Sequence, residues 1–280
     1  MSADRLPTPP AAKPSTLGIR TASALVMGPA AVAAVWFGPP WVPALVVAAG
    51  GVMAWEWARL CGAGRIGLDG WLAIAMVTLA ALLGAFRLWP ASLGAAVLGA
   101  ALVLVAGRTA RHPEPGLAAI GPLWFGIPCV ALLWVGADPA TGWRTIFWIF
   151  AVVWATDIGA YAAGRTFGGP KLAPRVSPSK TWSGLAGGVL SAGICGYIAA
   201  VLLAGGGGMV VFLVSAGLAV VAQAGDLAES AAKRKFGVKD SSAIIPGHGG
   251  LLDRLDGLIA VAPLVALLNL LGGSSVVTWR

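Results

Sequence analysis

The chain has 280 residues, 58% of them hydrophobic and 11% charged, and a formal net charge of +8. A soluble domain is about 45–50% apolar and about 25% charged, so a soluble fold could not hide this much apolar surface. The positive balance reads as basic anchoring of membrane loops on the cytoplasmic side, and nucleic-acid binding is not indicated.

Residues 1–20 are rich in Pro, Ala, Ser and Thr and lack hydrophobic periodicity. They are expected to form a disordered cytoplasmic tail, with Arg5, Lys13 and Arg20 near the membrane surface. No cleavable leader is expected, because the apolar segment that follows resembles those after it. At about 20 apolar residues per crossing, the chain divides into nine spans near 21–38, 41–58, 70–86, 90–107, 117–136, 144–164, 183–204, 208–225 and 252–272. The reading is an all-α polytopic membrane protein with an N-terminal region over 21–143 (about five helices) and a C-terminal, catalytic region over 144–280 (about four). Cys61, Cys129 and Cys195 lie far apart, which indicates neither a disulfide framework nor a cysteine metal site.

Nine crossings put the two ends on opposite sides. With the N-terminus cytoplasmic, 16 basic residues fall on that side and 3 (Arg87, Arg144 and Arg280) on the other, which accounts for all 19. This split favours N-in, C-out. It also places the two most polar segments, 165–182 and 226–251, on the cytoplasmic face, while the Gly205–Gly208 run falls on the far side as a flexible turn.

An ionisable group inside a span costs about 2.5–3.5 kcal/mol on the insertion scale, so each is a functional candidate. Glu56 and Asp157 lie within spans and Asp226 ends one. For Glu56, an intrahelical ion pair with Arg59 is expected. Asp157, Tyr161, Gly164 and Arg165 share a helix face, which either lines a polar site or locks helices through an Asp157–Arg165 pair. Lys171, Arg175, Ser177, Lys180 and Thr181 follow in the first polar segment, with no acid among them. They describe a polyphosphate clamp or, alternatively, a patch for anionic lipid.

Asp226, Glu229, Ser230 and Lys233 follow at i, i+3, i+4 and i+7, one stripe of a helix leaving the membrane. Beyond it come Arg234, Lys239, Asp240 and the run Pro246-Gly-His248-Gly249-Gly250, then Asp253, Arg254 and Asp256 at the start of the last span. The two glycines would let backbone amides approach an anion. Carboxylates from two helix ends, basic side chains and a glycine-lined helix start suit phosphoryl chemistry with Mg²⁺. There is no Gly-x-x-x-x-Gly-Lys-Ser/Thr motif, so this is not a P-loop enzyme.

The run from Ser230 through Lys233-Arg234, Lys239-Asp240 and Pro246-Gly-His248-Gly249-Gly250 to Asp253-Arg254-Leu-Asp256 resembles the signature of the phosphatidate cytidylyltransferases. Asp157, Ala160-Tyr161, Gly164-Arg165, Ser177-Pro178 and Lys180-Thr181 extend the resemblance over roughly 150–260. The N-terminal spans match only in being apolar, apart from Glu56-Trp57. Ser179 and Ser183 stand where many members have a basic residue and a Glu.

The resemblance implies an all-helical membrane enzyme, often a homodimer, that uses Mg²⁺ to make CDP-diacylglycerol and pyrophosphate from CTP and phosphatidic acid. The family's paired-cation aspartates fall on Asp226 and Asp253, with room for a second cation. Asp157, Asp240 and Asp256 would be further or outer ligands. Lys180, Lys233, Arg234, Lys239 and Arg254 would neutralise phosphates, and Ser177, Ser230 and His248 would position them, with His248 alternatively a general acid toward pyrophosphate. Arg165, Lys171, Arg175, Thr181, Gly249 and Gly250 complete the expected substrate contacts. The Ala- and Gly-heavy composition points to a bacterial inner (plasma) membrane, and the split of basic residues puts the site on its cytoplasmic face. A CTP-dependent kinase of a lipid alcohol and a non-catalytic transporter or scaffold are the alternatives.

The topology has a direct test. Reporter fusions are expected to place the loop around Arg175 in the cytoplasm and the C-terminus at Arg280 outside, and finding both on one side would exclude nine crossings.

Overall fold

The computed structural model describes residues 16–280, so the tail expected over 1–20 lies outside the described residues as far as residue 15. Nine helices are described: α1 (Thr16–Phe37), α2 (Trp41–Cys61), α3 (Leu68–Ala85), α4 (Trp89–Thr109), α5 (Pro115–Gly136), α6 (Gly142–Phe167), α7 (Trp182–Ala204), α8 (Met209–Lys235) and α9 (Leu252–Gly272). Eight of them, α2 to α9, are long and apolar enough to cross a membrane; in α1 the described apolar stretch is Leu25–Phe37. Each expected span reappears with its ends moved by a few residues, except at α8. That helix runs on to Lys235 without a break, so the acidic stripe stands on a continuation of the membrane helix.

One element was not anticipated. Within the polar segment 165–182, β1 (Lys171–Ala173) and β2 (Ser177–Thr181) pair as an antiparallel hairpin in the register Lys171↔Thr181 and Ala173↔Ser177. Thr181 ends the hairpin and starts α7, its Oγ1 accepting from the Gly184 amide at 3.1 Å. This is an N-cap, which satisfies one of the helix's free amides.

The core runs through the whole bundle, with Trp57, Phe125, Trp148, Ile149 and Leu218 essentially inaccessible. The buried indole of Trp148 donates to the Gly196 carbonyl at 2.9 Å, tying α6 to α7. Those two helices meet through small residues. A Cβ on Gly187 would strike Ala163 Cβ and the Gly159 carbonyl oxygen, and one on Gly159 would strike Ser191. Close backbone approach is how helices gain packing where lipid provides no hydrophobic drive to associate. The outward faces carry Val97, Leu98, Val105, Leu202 and Leu271, all exposed as lipid-facing positions would be.

The Gly205–Gly208 run is a turn, as expected. It connects α7 to α8 at the end away from the hairpin, where the Gly207 amide donates to the Trp279 carbonyl at 3.0 Å. The three cysteines are unpaired.

If the α6–α7 seam depends on this approach, Gly187→Leu is expected to lose about 1–3 kcal/mol through overpacking, read as a lower Tm in detergent. Gly217→Ala, which has open space around it, is the matched control and is expected to leave Tm unchanged.

Candidate active site

The hairpin, the C-terminal half of α8 and the first turns of α9 converge at one end of the bundle, beside the last turns of α6. Asp226 and Glu229 from α8 and Asp256 from α9 each offer a carboxylate oxygen, and these oxygens lie within 4.8 Å of one another. Glu229 is 2% exposed, whereas Asp226 and Asp256 are half-buried. Two ammonium groups bracket the cluster. Lys180, carried inward by β2, sits 2.6 Å from Asp226 Oδ2. Lys233, one turn beyond Glu229, lies 2.8 Å from Glu229 Oε2 and 2.5 Å from Asp253 Oδ1. Ser230 Oγ donates to Asp226 Oδ1 at 3.3 Å. Asp157 on α6 is exposed but lies within electrostatic reach of Asp226, Lys180 and Arg254.

Asp253, expected to share a cation with Asp226, is engaged here by protein groups. Its Oδ1 faces Lys233, and its Oδ2 accepts from the Gly250 amide at 2.7 Å and the Ser241 amide at 2.9 Å and lies 3.0 Å from Ser241 Oγ. Asp226 is instead grouped with Glu229 and Asp256.

The amides at the start of α9 were expected to receive a substrate phosphate, but the protein's own carboxylates take them. Leu251 and Leu252 donate to Glu56 at 2.9 and 2.7 Å. The glycines are needed for this closeness. Gly249 has φ +84°, and a Cβ on Gly250 would collide with Ser241 Oγ and Glu56 Oε1.

Glu56 is thus a residue whose place the sequence reading missed. The expected Glu56–Arg59 ion pair does not form: Arg59 lies over the Trp55 ring, 4.9 Å from its centroid, and Glu56 points to the α8–α9 loop. The signal in the sequence was an unexplained acid inside a span, in a Glu-Trp pair resembling the family's. Glu229 was read as part of a stripe but not as a site residue, because i, i+3 spacing does not reveal burial.

The Asp157–Arg165 lock is absent from the described ion pairs; Arg165 donates to the Tyr161 hydroxyl at 2.8 Å instead. Thr181 serves as the α7 cap. Arg234 braces the hairpin, with Nε donating to the Val176 carbonyl at 3.3 Å and Nη1 to the Val238 carbonyl at 2.9 Å. Arg254 Nε donates to the His248 carbonyl at 3.0 Å. His248 Nδ1 is buried with no hydrogen-bond partner among the described residues. Lys171, Arg175, Lys239 and Asp240 are exposed, and Ser177 is half-buried.

The donor set suits a hard divalent cation, which takes oxygen ligands and shares them with substrate phosphates. Neither oxygen of the buried Glu229 receives a directed hydrogen bond among the described residues, although Lys233 makes an ionic contact. Three converging carboxylates repel unless cations lie among them, and the two lysines do not balance them, because Lys233 is shared with Asp253. The residues present therefore fit such an ion.

Carboxylates and ammonium groups gathered where membrane helices end mark a polytopic membrane enzyme of phosphate chemistry, and comparison with known proteins gives its class as a nucleotidyltransferase. Residues 18–271 match the model of the cytidylyltransferase family, and the chain belongs to that family. It is similar to the phosphatidate cytidylyltransferase of Brucella suis biovar 1 (strain 1330), 40% identical over 258 residues that cover 90% of this chain and 93% of that protein. The enzyme of the same name from Rickettsia bellii (strain RML369-C) is 41% identical over 157 residues, covering 54% of this chain and 68% of its own. That of Haemophilus influenzae is 45% identical over 131 residues, covering 45% and 46%.

Proposed function

We propose that this chain transfers the cytidylyl group of CTP to the phosphate of phosphatidic acid, forming CDP-diacylglycerol and releasing pyrophosphate, at the cytoplasmic face of a bacterial inner membrane. The observation that carries this reading is the cluster of Asp226, Glu229 and Asp256 between Lys180 and Lys233, in a chain similar along nine-tenths of its length to an enzyme of that name. The facing rests on the distribution of basic residues and on the cytosolic supply of CTP.

A phosphomonoester is already ionised near pH 7, so its oxygen can attack the α-phosphorus of CTP without a strong general base. The protein's tasks are then alignment and charge neutralisation. Asp226, Glu229 and Asp256 would hold Mg²⁺, with Asp157 nearby as an outer group. When bound, Mg²⁺ neutralises phosphate charge and polarises the phosphorus under attack. Lys180 stands on a hairpin rather than a membrane helix, and its ammonium would exchange Asp226 for a CTP phosphate. Lys233 is held from two sides by Glu229 and Asp253, so its charge stays fixed while phosphates enter. Asp253 contributes by holding Lys233 and the first turn of α9. Arg254, Lys239, Arg175 and Lys171 surround the mouth and would draw in anionic substrates. His248, with an unengaged buried Nδ1, would position a phosphate.

Detergent-solubilised protein given CTP, Mg²⁺ and phosphatidic acid is expected to release pyrophosphate; release of CDP would indicate a lipid kinase instead, and neither product a non-catalytic role. Asp226→Asn is expected to abolish nearly all turnover, with little recovery at high Mg²⁺, because an amide is a poorer ligand for a hard cation. Retention of more than about a tenth of wild-type kcat, a barrier change below roughly 1.4 kcal/mol, would remove Asp226 from the site. Lys180→Ala is expected to raise KM for CTP or lower kcat in a folded protein. An unchanged kcat/KM would leave the hairpin as a lipid-surface patch.

A further inference from the structure

Glu56 belongs to α2, far in sequence from every motif that carries the reaction. Its side chain is wholly inaccessible, 0% exposed, and a carboxylate buried without partners would be prohibitively costly. Its partners all come from the loop between α8 and α9 or from the α9 start. Ser242 Oγ and the Leu251 amide donate to Oε1 at 2.6 and 2.9 Å. The Leu252 amide donates to Oε2 at 2.7 Å, and the one Ser241 hydroxyl proton, with Oγ 3.2 Å from Oε2, is shared between Glu56 and Asp253. No side chain at the Leu251 N-cap position closes α9, so a carboxylate from another helix does so, where the free amides and the helix dipole both favour a negative charge.

The contact continues inward. Ser241 Oγ also faces Asp253 Oδ2 at 3.0 Å, and the Ser241 amide donates to the same oxygen at 2.9 Å. Asp253 holds Lys233, and Lys233 holds Glu229 of the acidic cluster. Glu56, Ser241, Asp253, Lys233 and Glu229 therefore form one continuous line of charge-assisted contacts from α2 to the cation ligands.

We propose that Glu56 is a positioning residue for cytidylyl transfer, acting through Ser241 and the first turn of α9 to set Asp253, Lys233 and Asp256 around the cation-holding cluster. The proposal rests on the function argued above, but it concerns cation binding as well as turnover and is separable from it. Glu56→Gln keeps the shape and loses acceptor capacity, because the new amide nitrogen cannot accept from the donors facing one of the two oxygens. Outer groups that orient ligands typically contribute about 10- to 100-fold to metal affinity or activity.

The test is a Mg²⁺ titration of solubilised protein, read both as the cation-induced rise in Tm and as kcat at saturating substrate, for wild type, Glu56→Gln and Ser241→Ala. The expected result for Glu56→Gln is a Mg²⁺ midpoint raised about tenfold or more and a matching fall in kcat, with KM for phosphatidic acid unchanged. Ser241→Ala leaves Glu56 bound to Ser242, Leu251 and Leu252 and cuts only the hydroxyl bridge to Asp253, so it is expected to fold and to shift the midpoint in the same direction. Adding it to Glu56→Gln should cost little more, since both interrupt one line of contacts. A wild-type Mg²⁺ midpoint in folded Ser241→Ala overturns the proposal, whether or not Glu56→Gln folds. A wild type that binds Mg²⁺ but forms no pyrophosphate overturns the function instead, and the Tm arm still decides the role of Glu56.

Discussion

Charge buried where membrane helices end must be compensated by the protein itself, and this demand organises the hairpin end of the molecule. The start of α9 has free amides that the Leu251 side chain at the N-cap position cannot satisfy. Glu56 and Asp253 supply the missing acceptors, and their own charges are tolerable only because those amides, Ser241, Ser242 and Lys233 converge on them. Each group is costly alone and stable in company. Removing any member leaves an uncompensated charge or donor, so this line of contacts behaves as one unit.

The rest of the bundle sets the stage for that unit. The small-residue seam between α6 and α7 brings the end of α6 against the start of α7, and the hairpin between them has little freedom in where it can lie. Its register carries Lys180 to Asp226. The Thr181 cap and the Arg234 contact to Val176 hold its two sides. On the far side of the site, Lys235 pairs with Glu114 at 2.7 Å and joins α8 to the start of α5. The cluster thus sits between elements from both halves of the chain, although its carboxylates come from α8 and α9 alone.

A division of labour follows for the basic residues. Those touching acids inside the site, Lys180 and Lys233, are ion-paired and have low exposure. Lys171, Arg175, Lys239 and Arg254 are exposed and suited to long-range attraction of anions, which salt weakens.

Much of this protein was legible in its sequence. Apolar runs of membrane length locate the helices, the end of α8 apart, to within a few residues, because a bilayer leaves a chain few ways to satisfy its backbone. The acidic stripe on α8 and the Asp253-Arg254-Leu-Asp256 turn name the chemistry, since i, i+3 and i+4 spacing puts side chains on one face whatever surrounds the helix. Which acid faces which partner was decided only by the tertiary structure. Asp226 is grouped with Glu229 and Asp256, Asp253 faces Lys233, and Glu56 leaves Arg59 for the start of α9. Periodicity reports the direction of a side chain about its own axis, but burial and pairing depend on how the axes pack, and residues 185 and more positions apart are brought into contact only by that packing.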